Sequence, residues 1–160
     1  MKPLLFLSVF ALILFGCNHG TKHAEANLDE LTNHLKPGKH NYLAVFEKDS
    51  AKLTLDIGTY GKISGQMSVK YSDTSTVERQ ATDGTLMKAE FKGDTLRADY
   101  SFSSGPSGQN KYVNPVAFLH KGDTLIMGYG RVLNYLGRNY FDPATPIGFE
   151  KSKFRFVPVK

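Results

Sequence analysis

The 160 residues contain no tryptophan and one cysteine, Cys17. One thiol cannot build a disulfide framework, so any fold must stand on its apolar core. Long apolar runs are equally scarce. The only one, Leu4 to Phe15 broken by Ser8, is well short of the roughly 20 residues that cross a bilayer core. Past Gly16, 19 lysines and arginines face 15 acidic residues, spread along the chain with no basic block. Nucleic acid is therefore not expected as a partner, and the balance suits anionic envelope surfaces. The length leaves room for one domain and excludes a multidomain enzyme. What is abundant is aromatic: 11 Phe and 8 Tyr, too many for a disordered chain.

Lys2 followed by the apolar stretch and then by Gly16, Cys17 and polar sequence reads as a secretory signal over residues 1–16. The ending Leu14-Phe15-Gly16-Cys17 resembles the bacterial lipobox, although Phe15 replaces the usual small residue. The resemblance implies cleavage before Cys17, diacylglycerol on its sulfur and acylation of its new amino group, palmitate being a typical chain. Two or three chains hold a protein stably on a bilayer, whereas one does so only marginally. The expectation is a lipid-anchored cell-envelope protein, with Asn18 favouring the outer membrane of a Gram-negative cell. Lipidation also uses up a thiol that would otherwise be open to oxidation.

Residues 17–39 read as a tether. Leu28, Leu31 and Leu35 recur at helical spacing before the stop Lys36-Pro37-Gly38, predicting one short amphipathic helix. His19 and His23 stand at the i, i+4 spacing of a metal pair, but Gly20 and Thr21 disfavour a helix there and no third ligand falls at a fixed offset, so no metal is expected. His34 and His40 complete this histidine-rich stretch.

From His40 to Lys160 the period changes to two. Leu53, Leu55 and Ile57 alternate with polar residues, as do Ile63 to Tyr71, Met87 to Phe91, Leu96 to Phe102 and Leu125 to Tyr129. Half-buried antiparallel strands need this pattern. Turn residues fall between the runs at Lys48-Asp49-Ser50, Thr59-Tyr60-Gly61, Asp83-Gly84, Lys92-Gly93-Asp94 and Lys121-Gly122-Asp123. Lys-Gly-Asp-Thr-Leu occurs twice, at 92–96 and 121–125, marking one hairpin used twice. The expected fold is all-β: about eight or nine strands in an antiparallel up-and-down, lipocalin-like barrel or a sandwich, with a last strand at Lys153 to Val157. A transmembrane barrel uses the same alternation inside out, and Lys70, Lys88, Glu90, Arg97 and Asp99 would then crowd a small lumen with charge. The elements Gly61 to Met67, Gly93 to Phe102, Val116-Ala117-Phe118 and Gly128-Tyr129-Gly130, with the lipobox, resemble small cell-envelope lipoproteins of the kind abundant in Bacteroidota. That resemblance implies no activity.

No catalytic site is expected. His120 neighbours the Lys121-Gly122-Asp123 turn, Ser103, Ser104 and Ser107 lie in ordinary loop composition, and Glu90 and Asp99 face Lys88 and Arg97 as cross-strand ion pairs. Glu78 and Asp142 are the remaining carboxylates considered for glycosidase-like pairing. The segment Gly130 to Phe149 breaks the strand rhythm and concentrates Arg131, Tyr135, Arg138, Tyr140 and Phe141. It reads either as aromatic packing over an open barrel end or as a lid that stacks a ring and holds an anionic group through Arg131 or Arg138. The functional expectation is thus a tethered, non-enzymatic barrel without a cofactor, binding a small apolar or anionic ligand. The alternative is a protein-interaction or inhibitor lipoprotein, resembling barrel inhibitors of lysozyme or an assembly accessory, that meets an envelope protein through a loop such as Ser103 to Lys111.

Overall fold

The computed structural model describes residues 35–72, 82–104 and 110–160. Eight antiparallel strands close into a barrel: β1 (Gly38–Phe46), β2 (Asp49–Ile57), β3 (Ile63–Lys70), β4 (Thr82–Lys92), β5 (Thr95–Ser104), β6 (Asn110–Lys121), β7 (Thr124–Met127) and β10 (Arg155–Val159). Each strand pairs with the next, and β10 returns to β1, so the barrel is up-and-down throughout. A separate two-stranded hairpin, β8 (Val132–Tyr135) and β9 (Arg138–Phe141), is inserted between the last two barrel strands. The expected short helix and the two-histidine pair at His19 and His23, like Cys17 and Glu78, lie outside the described residues.

Alternation decides the sidedness. Leu53, Leu55, Leu86, Leu96, Phe118, Leu125 and Phe156 are buried inside, while Lys70, Lys88, Glu90 and Arg97 point outward. An apolar interior with charge outside is the reverse of a lipid-embedded barrel. The strand pairs and core close within Leu35–Val159, so a chain beginning at Leu28 carries the whole barrel.

The two ends differ. At one, β1 enters and the tight turns β2–β3, β4–β5 and β6–β7 cluster. Both copies of Lys-Gly-Asp-Thr-Leu turn here, with Gly93 at φ 56° and Gly122 at φ 67°, the positive angle that a two-residue hairpin asks of its first turn residue. The Asp94 carbonyl of one copy accepts the His120 amide that precedes the other at 2.8 Å, so the copies sit side by side. Leu35 packs on the core, and Leu55, Leu96, Phe118 and Leu125 fill the barrel's interior. The other end carries the longer connections, 71–81, 105–109 and 128–154.

Several local expectations change, the first turn falling at Glu47-Lys48 with Asp49 and Ser50 already in β2. Asp83-Gly84 lies inside β4 rather than at a turn, because the connection between β3 and β4 runs earlier, through 71–81. The last strand runs from Arg155 to Val159 instead of Lys153 to Val157. Phe154 and Phe156 still alternate into the core, but pairing with β7 starts only at Arg155 opposite Ile126.

Candidate binding cavity at the barrel mouth

At the end of the long connections, inward residues of β3 to β7 leave space instead of meeting. Met67 and Val69 from β3, Thr82 from β4, Tyr100 and Phe102 from β5, Tyr112, Asn114 and Val116 from β6 and Met127 from β7 line a cavity of about 630 Å³. Tyr71 joins from beyond β3, and Tyr129, Gly130, Val132 and Phe141 close over it from the inserted segment. The volume lies within the roughly 300–1,000 Å³ typical of small-molecule sites. Across the barrel, Ala44, Ala51, Leu53 and Phe154 fill the interior with ordinary core packing.

One wall is an aromatic stack. Tyr100 and Phe102 lie 4.9 Å apart between ring centroids, and Phe102 and Tyr112 lie 5.5 Å apart, both pairs with planes within 22°. Tyr100 is buried at the inner end, and Tyr112 is exposed at the rim. The inner end is fixed by hydrogen bonds: the Tyr100 hydroxyl donates to the Met67 carbonyl at 2.9 Å and meets the Thr82 hydroxyl at 3.2 Å. Burial pushes the Tyr100 phenol above its ordinary value and Asp83 adds to the rise, while the Thr82 bond partly opposes it. Tyr71 is likewise raised, by burial first and by Asp49 second.

The inserted hairpin is latched to the barrel wall at β5 and β6. Asn139 donates to the Asn114 side chain at 2.8 Å and to the Val113 carbonyl at 3.2 Å, and Arg138 reaches Asp99 at 3.2 Å. Gly128 sits where an added Cβ would strike Ile147 and Phe149, so the segment folds tightly over Ala117 on the outer wall. Asp142, only 8% exposed, holds the return of the segment by accepting from the Ala144 amide at 2.8 Å and the Thr145 hydroxyl at 3.2 Å.

Of the residues singled out from the sequence, Arg131, Tyr135, Arg138 and Tyr140 all stand outside the cavity lining. Arg131 lies 3.7 Å from the Asp142 carboxylate, and Arg138 belongs to the Asp99 latch. Tyr135 is at the exposed hairpin tip and Tyr140 is half-exposed. The same hairpin instead sends Val132 and Phe141 to the cavity. Asp99 also takes Lys88 at 3.6 Å, as a cross-strand pair should, whereas Glu90 pairs with Lys92 along its own strand at 3.0 Å. His120 sits edge-on to Phe91, 6.3 Å between ring centroids, at the short-turn end. Among the described residues, no three His, Cys, Asp or Glu side chains gather as metal ligands.

Phe102, Tyr112 and Met127 are among the lining residues that sequence reading did not single out as a site. Their parity carried the signal: Phe102 shares the inward face with Leu96, Ala98 and Tyr100, and Tyr112 shares it with Val116 and Phe118. No protein family, curated protein or solved structure matches the chain in comparison.

Proposed function

We propose that the protein is a cell-envelope lipoprotein, held to the outer membrane by lipid on Cys17, whose barrel binds a small molecule at its mouth and catalyses no reaction. The carrying observation is the cavity itself, some 630 Å³ lined by aromatic, Met and Val side chains where a barrel of this size could have been packed solid. Apolar surface left facing water at the mouth is surface that a bound molecule can bury. The tether reading is supported by the lipobox-like Leu14-Phe15-Gly16-Cys17 and by a barrel whose pairing is complete without that segment.

Native mass spectrometry of the full chain, released in detergent from its own envelope, tests the binding reading. A retained small molecule is expected, lost on denaturation, and a bare polypeptide mass together with no uptake of apolar probes would overturn it. Metabolic labelling with a clickable palmitate analogue tests the anchor: label on the native chain, and none on Cys17→Ser, is expected.

One observation favours the second reading, a protein-interaction module. The hairpin tip presents Tyr135 and Leu136 to solvent, with Leu136 87% exposed and at φ 50°, unfavourable for a branched side chain in both solvation and backbone. A protein retained in the same experiment, and lost with Leu136→Asn, would support this alternative.

A further inference from the structure

We infer that the mouth cavity selects an uncharged molecule carrying a flat unsaturated ring. The inference rests on the binding reading above and adds the chemistry of the ligand.

The described lining argues against charge. No Asp, Glu, Lys, Arg or His side chain is among the described residues that bound the cavity, so an ion entering it gains no counter-charge from them. The two arginines nearest in sequence do not supply one. Arg138 is bound to Asp99, and Arg131 lies beside Asp142, both outside the lining. The surroundings resist negative charge in particular, since Tyr71 and Tyr100 hold their protons more tightly than usual through burial and nearby Asp49 and Asp83. A cation fares no better. A cation finds no carboxylate partner among the described residues of the lining.

Ring geometry supplies the second half. The stack ends at Tyr112, exposed at the rim, where another plane laid parallel extends it, a contact that a flat unsaturated ring gains and a puckered one of equal size does not.

The test uses the chain from Leu28 onward and a matched pair of fluorescent probes, N-phenyl-1-naphthylamine and its 8-sulfonate, which share both ring systems and differ by one negative charge. The neutral probe should bind at least about tenfold more tightly, a difference of about 1.4 kcal/mol. Displacement of the neutral probe by 2-naphthol and by its saturated counterpart decahydro-2-naphthol then tests flatness, with the aromatic alcohol expected to act at several-fold lower concentration. Tyr112→Ala, at the exposed rim, should weaken the neutral probe about fivefold, in line with the loss of one aromatic contact, with an unchanged circular dichroism spectrum. Equal or tighter binding of the sulfonate overturns the charge inference and leaves the binding reading standing. Equal displacement by the two alcohols overturns the ring inference alone. No binding of either probe overturns the ring inference, and joined to a bare polypeptide mass in the native spectrum it overturns the binding reading as well.

Discussion

At the scale of single residues, Gly84 shows how closely the wall behind the cavity is fitted. A Cβ at this position would strike the Ser101 carbonyl oxygen and come within 2.6 Å of the Tyr100 ring. Gly84→Ala is expected to destabilise the barrel by about 1–3 kcal/mol, read as a fall in thermal midpoint, because the displaced ring is buried and hydrogen-bonded. The tyrosines set an alkaline limit. Tyr42, Tyr71 and Tyr100 are all raised from 10.0 by burial, so above that pH the unfolded chain loses phenolic protons that the folded chain keeps. The sign of this linkage is that stability is fully present below pH 10 and falls as pH rises beyond it. Urea midpoints measured from pH 8 to 11 should stay level and then drop. Tyr100→Phe should lower the plateau by about 1 kcal/mol for the lost hydrogen bonds and soften the alkaline fall.

At the scale of elements, the turns separate what a sequence displays from what it hides. Lys-Gly-Asp-Thr-Leu announces its hairpins twice, because glycine is the residue a positive φ demands. The β8–β9 turn uses Leu136-Gly137 with φ 50° and 74°, a geometry that favours Asn-Gly, and leucine gives no sign of it. That is why Gly130 to Phe149 reads as irregular sequence although it contains a regular hairpin. The barrel strands were legible because every second residue is apolar. The lining of the cavity was not, because parity says which way Tyr100, Phe102 and Tyr112 point but not whether the opposite wall reaches them. The segment that closes over it was legible as a place, and of the side chains it sends there Phe141 stood among the conspicuous aromatics, while Val132 is a plain apolar residue beside Arg131. Leu136→Asn should stabilise the hairpin by about 1 kcal/mol by removing the left-handed penalty of a branched residue. Slower amide exchange across Val132–Phe141, with barrel strands unchanged, would register this. Asn139→Ala should do the opposite, speeding exchange in the hairpin by removing its bonds to Asn114 and Val113.

For the whole molecule, closure depends on one short strand. β10 meets β7 through Arg155–Ile126 and Phe156–Leu125, and meets β1 through Asn41 to Leu43 paired with Val157 to Val159. Phe156 anchors it, fully buried and edge-on to Phe118 with 5.7 Å between ring centroids. Phe156→Ala is expected to cost about 3–5 kcal/mol, as large core truncations do. Loosening β10 would also bare the edges of β1 and β7, which invite pairing with another chain. Light scattering on the variant should therefore show association that grows with concentration, while the parent stays at constant mass.

The barrel's direction of entry carries a consequence for handling and for orientation alike. β1 begins at Gly38 and β10 ends at Val159 on the short-turn side, opposite the mouth. Whatever joins the chain before Gly38 or follows Lys160 is attached to the floor of the vessel and not to its lip. An anchor at Cys17, as proposed, would then join the barrel from the end opposite the opening, so the linking segment need not pass the mouth. The same layout makes both ends of the chain suitable points for immobilisation on a sensor surface, with the cavity left facing the flow.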